Sequence, residues 1–428
     1  MNGASDWETF LSERLDKIRQ GGLFRNPPPL KGIQGRLVHR PEGQVLNFSS
    51  NDYLGLAAHP AVVEAARLEL ERGAAGAGSS RLVSGTFEAH QKLEATVASF
   101  KGCEAAVSFS SGYAAATGCI PAVCGPGDVV LLDKLSHACL VDAARLSGAT
   151  IRVFPHNDLT ALERRLEWAS TRHPRGRILI VAESVYSMDG DCCPLGEIVA
   201  LKERFGAWLF LDEAHALGVV GPRGMGLAAD CGLTERVEIQ MGTLGKAAGA
   251  HGATIAGNRL LRDLLINSAR SLIFSTAPPP HVAAAATKGL EIIASTEGER
   301  LRLQLRARIS EFSQRINPIT AIPAAERGTR FEIAGFGIEK TERHIPIFPV
   351  VLGCEKRTMD ASTRLLTDGL WVPAIRFPSV ARGSARLRVT LTAAHTQDDV
   401  IRLAEALQRL DEASGERDVE NLADNPSR

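Results

Sequence analysis

The chain has 428 residues, of which 44% are hydrophobic and 23% charged, and this composition is typical of a globular protein with a large core. Lysine and arginine together number 49, as do aspartate and glutamate, so the formal net charge is zero. A neutral chain has no global field that would hold a polyanion. This argues against a nucleic acid or an anionic membrane as the main partner.

The sequence carries no sign of a membrane span, a signal peptide or a disulfide framework. No run reaches the roughly 18–20 apolar residues that a membrane-spanning helix needs, and residues 1–6 lack the basic and apolar regions of a signal peptide. The eight cysteines are scattered apart from the adjacent Cys192 and Cys193, and none forms a Cys-x-x-Cys pair. We therefore predict a cytoplasmic protein with reduced thiols and no metal site, zinc included.

Residues 1–55 are predicted to form an N-terminal arm or small segment. Apolar residues recur at helical spacing between Trp7 and Ile18, and the glycines at 21–22 are a typical helix end. The three prolines at 27–29 then break the chain. The arm is therefore expected to lie outside the core.

The middle of the chain, residues 56–295, is predicted to form a large α/β domain. After a helix over 60–73, short strands that are apolar on both faces alternate with amphipathic helices. The predicted strands are 105–110, 129–132, 151–154, 178–182 and 208–211, and the helices between them are 113–122, 138–146, 158–168 and 195–205. This alternation indicates a mostly parallel sheet buried between helices, with ligands at the carboxyl ends of the strands.

The pattern changes after the three prolines at 278–280. A smaller α+β domain over 296–412 is predicted from two long helices within 281–316, strand-like segments at 347–352, 372–375 and 387–390, and a helix over 398–410. The polar residues 413–428 are expected to form a disordered tail.

Asp212, His215 and Lys246 form the most specific chemical pattern in the sequence. Asp212 ends an apolar strand, His215 follows at a turn, and Lys246 lies in a glycine-rich loop with a hydroxyl at Thr243. Pyridoxal 5'-phosphate needs such groups, because a carboxylate keeps its ring nitrogen protonated and a lysine forms a Schiff base with its aldehyde. The sequence therefore predicts pyridoxal 5'-phosphate as the cofactor.

Two further segments suit the phosphate and the ring of this cofactor. Ser111, Gly112 and Tyr113 open a helix after a strand, so their amides lie at the positive end of the helix dipole. Thr243 adds a hydroxyl for the phosphate. His137 follows the end of another strand, where a flat side chain could stack on the ring.

Taken alone, each of these residues has a plainer interpretation. Asp212 at a strand end is as often a helix cap, a histidine such as His137 or His215 is more often a core residue, and Lys246 would be a surface lysine. The prediction rests on the combination, because several separate strand ends supply the groups that one cofactor needs.

Arg386 and Arg388 are two residues apart on a predicted strand and fall on the same face. They are candidates for binding a substrate carboxylate, although a solvated charged strand fits the pattern equally well. The glycine-rich segment 73–81 follows a helix and has neither of the common nucleotide-binding patterns, so we exclude a nucleotide site there.

The motifs of the chain resemble those of the α-oxoamine synthases, a family of pyridoxal-phosphate enzymes with the aspartate-aminotransferase fold (fold type I). The resemblance runs from about residue 45 to residue 410. Its motifs are NFSSNDYLGL (47–56), SSGYAA (110–115), DKLSHA (133–138), SMDGD (187–191), DEAH (212–215) and GTLGK (242–246). It implies a seven-stranded type of sheet and a homodimer in which the neighbouring subunit completes each site.

Residues 371–376 (WVPAIR) and 385–395 (ARLRVTLTAAH) are similar to the branch of the family that condenses L-alanine with a pimeloyl thioester of coenzyme A or acyl carrier protein. The implied reaction is a decarboxylative condensation that gives 8-amino-7-oxononanoate, carbon dioxide and a free thiol in biotin biosynthesis. The alternative within the family is a sister synthase that uses glycine or serine with another acyl-CoA. A non-catalytic protein of this fold is disfavoured by the intact Lys246, Asp212 and His137, and a nucleotide-binding oxidoreductase by the missing phosphate loop.

The resemblance also implies the roles of the catalytic residues. Lys246 would form the Schiff base and shuttle the proton, and Asp212 would pair with the pyridine nitrogen. His137 would stack on the ring and take part in catalysis. His215 would bond the phenolic oxygen of the cofactor, with Ser187 nearby.

The remaining implied roles concern binding. The phosphate would be held by Gly112, Tyr113 and Thr243, with Ser275 and Thr276 supplied by the neighbouring subunit. The substrates would be bound by Arg388 and Asn51 at the amino-acid carboxylate and by Arg25 and Arg376 at the acyl chain.

Overall fold

The computed structural model describes residues 3–73, 75–320, 332–333 and 343–423 of the chain. In these residues the strands are β1 (Leu37–Arg40), β2 (Gly43–Asn47), β3 (Ala105–Phe109), β4 (Val129–Asp133), β5 (Thr150–Phe154), β6 (Ile178–Glu183), β7 (Trp208–Asp212), β8 (Ile239–Thr243), β9 (Ala253–Gly257), β10 (Glu332–Ile333), β11 (Ile347–Gly353), β12 (Leu370–Trp371), β13 (Ala374–Ile375) and β14 (Ala385–Thr390).

The α-helices of the same residues alternate with the central strands and dominate both ends of the chain. They are α1 (Gly3–Gln20), α2 (Pro60–Glu71), α3 (Glu88–Lys101), α4 (Gly112–Val123), α5 (Ala138–Ser147), α6 (Leu159–Arg172), α7 (Leu195–Arg204), α8 (Leu227–Asp230), α9 (Arg259–Ser268), α10 (Arg270–Ile273), α11 (Pro280–Ala294), α12 (Thr296–Thr320), α13 (Glu355–Thr367) and α14 (Gln397–Ala423). None of them, within the described ranges, is both long and apolar enough to cross a membrane.

The centre of the molecule is a seven-stranded sheet with the strand order β3-β9-β8-β7-β6-β4-β5. The strands from β5 to β8 run parallel, and β9 is antiparallel to both of its neighbours. Every residue of β3, β4 and β6 is buried, because helices cover both faces of the sheet. The predicted α/β class and mostly parallel sheet are confirmed.

The five strands predicted in the large domain are all present, and each differs from its prediction by one residue at one end. The sequence analysis did not predict β8 and β9, which flank Lys246. Their small and polar residues, IQMGT and ATIAG, give a weak strand pattern.

The C-terminal part carries the second sheet, in the order β10-β11-β14-β13. A third sheet has the order β1-β2-β12. In this sheet β12, from the C-terminal part, pairs in parallel with β2 and so joins the N-terminal segment to the C-terminal part. The single strand predicted at 372–375 is therefore wrong. The chain forms β12 and β13 there, in different sheets and on either side of Pro373, which has no amide hydrogen for a sheet ladder.

The last helix is longer than expected. The predicted helix over 398–410 is α14, which continues to Ala423 through most of the predicted tail. Alanine, glutamate and arginine recur in this stretch and have high helix propensity. The rest of the predicted tail, residues 424–428, lies outside the described residues.

Candidate active site

Three acidic residues end neighbouring strands of the central sheet: Asp133 in β4, Glu183 in β6 and Asp212 in β7. Glu183 and Asp212 are paired residues of adjacent parallel strands. All three side chains are buried. This acidic edge is the carboxyl end of the sheet, where ligands bind in open α/β folds.

The surroundings of Asp212 favour the protonated form of its carboxyl group. Its Oδ1 accepts a hydrogen bond from the backbone N–H of Ala214 at 2.8 Å. Burial raises the pKa of Asp212 to about 6, although the ammonium of Lys246 acts in the opposite direction. The carboxyl group is thus fixed in direction and lies within electrostatic reach of Lys246.

Lys246 lies in the loop between β8 and β9. Backbone bonds close this loop, with Leu244 N–H donating to Gly252 O and Gly249 N–H to Lys246 O, both at 2.9 Å. Burial lowers the pKa of Lys246, while the carboxylates of Asp212 and Glu183 oppose that shift. A lysine with a lowered pKa is suited to act as a nucleophile and a base.

His137 is the N-cap of α5, and its ring has a defined tautomer. Nδ1 accepts from the backbone N–H of Cys139 at 3.2 Å, and the backbone N–H of His137 donates to Glu183 Oε1 at 2.5 Å. Burial and the nearby Lys246 lower the pKa of His137, which favours the neutral ring. Its proton therefore belongs on Nε2.

Tyr53 and Asn51 connect His215 to Arg388 by a chain of hydrogen bonds. Nδ1 of His215 lies 2.6 Å from the Tyr53 hydroxyl oxygen, and that hydroxyl lies 3.3 Å from Asn51 Oδ1. Arg388 donates to the same Asn51 oxygen at 3.0 Å and to the carbonyl of Ser187 at 2.6 Å. Burial, together with the charges of Lys246 and Arg388, lowers the pKa of His215 well below its ordinary value.

The residues predicted to hold the phosphate lie at the start of α4 and at the end of β8. Ser111 caps the helix by accepting from Ala114 N–H at 3.1 Å. A methyl group added at Gly112 would lie 3.0 Å from Thr243 Cγ2, so the helix start and the end of β8 are in close contact. Tyr113 is exposed, and its hydroxyl donates to Asp142 at 2.9 Å.

These residues fit pyridoxal phosphate. The cradle at Gly112 and Thr243 offers backbone amides to a phosphate, and any side chain at Gly112 would fill it. Asp212 supplies a buried carboxyl for a ring nitrogen, and Lys246 supplies an amine among carboxylates. We infer that Asp212, Lys246, Gly112 and Thr243 would hold the cofactor.

Four predicted site residues lie apart from this group. Ser275 and Thr276 are exposed, and Thr276 forms an isolated bridge with Ser80. Arg25 is exposed, and Arg376 donates to the carbonyls of Gly22 and Phe24 in the N-terminal arm. In the described part of the chain, none of the four makes a hydrogen bond to Asp212, His215 or Lys246.

The sequence analysis missed Tyr53, Glu183 and Cys139. Tyr53 is fully buried, and burial raises its pKa to about 12. The Cys139 sulfur lies 3.0 Å from His137 Nδ1. The acid at position 183 could have been found as a charged residue directly after an apolar strand, the same signal that identified Asp212.

Comparisons with known proteins agree with this geometry. A family model described as aminotransferase class I and II matches residues 43–407. The chain belongs to the class I and II aminotransferase family. The predicted type of fold is confirmed.

Curated relatives narrow the family. The 8-amino-7-oxononanoate synthase of Geotalea daltonii is 44% identical over 400 residues, which cover 94% of this chain and 97% of that protein. The enzyme of the same name from Pelobacter propionicus is 42% identical over 400 residues, with 94% and 97% covered. These identities place the chain in the 8-amino-7-oxononanoate synthase family, within the predicted α-oxoamine synthases.

A solved structure shows the same architecture. A serine palmitoyltransferase variant from S. paucimobilis, with bound PLP and myriocin, matches with a TM-score of 0.85 and 27% identity. The match covers 97% of this chain and 100% of that chain.

Proposed function

We propose that the protein condenses L-alanine with a pimeloyl thioester and thereby makes 8-amino-7-oxononanoate for biotin biosynthesis. The proposal rests on sequence identity above 40%, over nearly the full length, with enzymes that are named for this product. The chain also brings Lys246 and Asp212 together in one buried site. The alanine α-carbon loses its proton and bonds to the thioester carbonyl carbon, while the carbon–sulfur bond breaks and the sulfur takes up a proton to leave as the free thiol. The alanine carboxylate then leaves as carbon dioxide, and a proton takes its place on the α-carbon.

Lys246 and Asp212 supply the proton chemistry. When bound, pyridoxal phosphate supplies an electron sink for the carbanion at the α-carbon. Asp212 would keep a proton at the ring nitrogen, and the hydrogen bond that its Oδ1 accepts from Ala214 N–H holds the carboxyl group in place. Lys246 Nζ removes the α-proton, and burial favours the neutral amine that this step requires.

Arg388 and His137 orient the reacting groups. Arg388 binds the carboxylate of the amino acid, and Asn51 holds the guanidinium in place. His137 would stack on the ring of the bound cofactor, and its Nε2–H would be available to the carbonyl oxygen of the thioester, because Nδ1 is engaged by Cys139 N–H. His215 would hydrogen-bond the phenolic oxygen of the cofactor, with Ser187 nearby.

The acyl donor would be bound by Arg25 and Arg376. Arg376 donates hydrogen bonds to the carbonyls of Gly22 and Phe24 in the N-terminal arm, and Arg25 is the next residue in the chain. Two cations at this position suit the distal carboxylate of a pimeloyl chain or the phosphates of coenzyme A. Coenzyme A and acyl carrier protein are both compatible donors.

The active form is a homodimer with shared sites. Phe274 is 70% exposed and is followed by the exposed Ser275 and Thr276. An exposed phenylalanine beside two hydroxyls fits a subunit interface that delivers those hydroxyls to the partner's phosphate. The predicted cytoplasmic location stays a prediction.

The test is product formation from alanine and a series of dicarboxylyl thioesters, followed by mass spectrometry. We expect 8-amino-7-oxononanoate from the pimeloyl donor and little product from glycine or serine. A preference for glycine or serine would instead favour a sister synthase, such as the serine palmitoyltransferase whose fold this chain shares.

The Lys246→Ala variant tests the assigned mechanism. We expect it to lose covalent cofactor attachment and to lower turnover by about a thousandfold or more. Lys92→Ala, at an exposed lysine of α3, is the control and should behave as wild type. Full activity of Lys246→Ala would disprove the mechanism.

A further inference from the structure

His156 joins two carboxylates that come from different loops. It follows β5, and its Nδ1 lies 2.9 Å from Asp133 Oδ1, while its Nε2 lies 2.6 Å from Asp191 Oδ2. An ionised carboxylate only accepts hydrogen bonds, so both ring nitrogens of His156 donate. His156 is therefore an imidazolium that links the end of β4 to the 185–192 loop, by which we mean the turn between β6 and α7.

The surroundings of His156 support that charge. Burial alone would lower its pKa, but the hydrogen bonds and charges of Asp133 and Asp191 outweigh burial and raise the pKa to about 10. The third titratable neighbour is Tyr186, whose ring meets the imidazole edge-on with centroids 4.4 Å apart. Two carboxylates and one cation thus form a compact charged cluster beside the predicted site.

Asp191 closes the base of the 185–192 loop. Tyr186 N–H donates to Asp191 O at 3.0 Å, Gly190 N–H donates to Tyr186 O at 2.7 Å, and Val185 forms a bridge with Cys192. The side-chain amide of Asn157, next to His156, donates to Asp191 Oδ2 at 3.0 Å. The base of the loop is consequently fixed to the end of β5.

The tip of the same loop holds both arginines of β14. The Ser187 carbonyl accepts from Arg388 Nε at 2.6 Å. Asp189 accepts from Arg386 at 2.5 Å, and the Met188 carbonyl accepts from the same nitrogen at 3.3 Å. A shift of this loop would move the guanidinium of Arg388.

We propose that His156 is a positioning residue that, by joining Asp133 to Asp191, fixes the 185–192 loop and so directs Arg388 toward the amino-acid carboxylate. The inference rests on the proposed function, in which Arg388 binds that carboxylate. His156 is held by Asp133 and Asp191, which the proposed function does not assign to substrate or cofactor, and it acts through the loop.

The experiment compares His156→Gln and Asp191→Asn with wild type, each loaded with cofactor. His156→Gln leaves two carboxylates without their cation, and Asp191→Asn removes one carboxylate with little change of shape. The control is His173→Gln, the same substitution at a half-buried histidine whose Nδ1 lies 3.2 Å from the Gly127 carbonyl, before β4 and away from its carboxyl end. Thermal unfolding reports whether each variant is folded.

We expect His156→Gln to raise the KM and the calorimetric Kd for alanine by about tenfold or more, because a displaced binding group loses much of its effect. Asp191→Asn should raise both by a smaller factor, and the KM for the thioester should stay within about twofold. Equal losses for both substrates, or unchanged alanine affinity in folded variants, would overturn the proposal.

Nitrogen-15 NMR of the histidine rings gives a second readout that is independent of turnover. The His156 resonances are identified as those that His156→Gln lacks. We expect the wild-type His156 ring to keep both of its protons above about pH 8, and to lose one of them at a lower pH in Asp191→Asn. Titration of His156 near 6.5 would overturn the proposal. If wild type formed no product, the proposed function would fail, but alanine binding and NMR would still decide the role of His156.

Discussion

Arg388 is held in place by several neighbours before any substrate binds. Its Nε donates to Ser187 O, and its Nη1 donates to Asn51 Oδ1 and, at 2.9 Å, to Thr390 Oγ1. The side chain is buried in β14. Much of the conformational entropy of an arginine is therefore lost during folding, and a bound carboxylate does not have to order it again.

This arrangement predicts the effect of Arg388→Ala. We expect the KM for alanine to rise about 10- to 100-fold, because a charge-assisted hydrogen bond contributes roughly 1.5–3 kcal/mol. The KM for the pimeloyl thioester should change little in steady-state assays. Arg382→Ala, at an exposed arginine of the same domain, is the control. A larger effect on the thioester would show that Arg388 binds the acyl donor instead.

The raised pKa of His156 predicts how stability depends on pH. The pKa is about 10 in the folded chain and roughly 6.5 in an unfolded one, so the folded state binds more protons between these values. This contribution to the free energy of unfolding is fully present below about pH 6.5 and is lost as the pH rises through 10. Denaturant titrations should show stability falling over that range, with a smaller slope for His156→Gln than for wild type. Equal slopes would contradict the predicted charge.

The β8–β9 loop, residues 244–252, is the element that presents Lys246. Gly249 has φ +66°, and a methyl group added there would lie 2.3 Å from the backbone carbon of Leu56. The loop therefore packs directly on the backbone at the end of the 47–56 motif. A glycine is required here for two reasons, backbone conformation and space.

Comparing Gly249→Ala with Gly232→Ala separates the effect of backbone conformation from the effect of limited space. Gly232 has φ +64° with no atom within 4 Å of an added methyl group, so its substitution tests conformation alone. We expect a loss of about 1–2 kcal/mol at Gly232 and about 2–5 kcal/mol at Gly249, where overpacking adds to the cost. Urea unfolding measures both losses, and cofactor absorbance should fall only for Gly249→Ala. Equal losses would mean that the Leu56 contact relaxes freely.

At the scale of helices and strands, local sequence patterns predicted most of the elements of the large domain. Strands such as β4 and β6 are apolar at almost every position, and that pattern is complete within one segment. β8 and β9 could not be predicted in this way. Their residues become strands because the sheet leaves room for them between β7 and β3, and that is a property of the tertiary fold.

At the scale of the whole molecule, the proposed homodimer determines which chain completes each site. Ser275 and Thr276 are exposed in one chain and are assigned to the phosphate of its partner. The Thr276→Glu substitution would place a negative charge against that phosphate and should inactivate the partner's site.

Mixing subunits tests this assignment. Lys246→Ala and Thr276→Glu should each be inactive alone, and co-refolded mixtures should regain about a quarter of wild-type activity. Half of the dimers in such a mixture are hybrid, and each hybrid keeps one intact site. Inactive hybrids, confirmed as dimers by size-exclusion chromatography, would contradict shared sites. An active Thr276→Glu homodimer would contradict the phosphate contact.

The sequence by itself determined the chemistry of the site and the class of fold. Asp212 ends an apolar strand and His215 follows it, and such a strand is recognisable because its burial pattern lies within a few consecutive residues. Only the tertiary structure decided which side chains touch, as with Asn51 and Arg388, which are 337 residues apart and share a hydrogen bond at 3.0 Å. Contacts of that kind depend on strand order and on how the small domain packs against the sheet, and no local pattern contains that information.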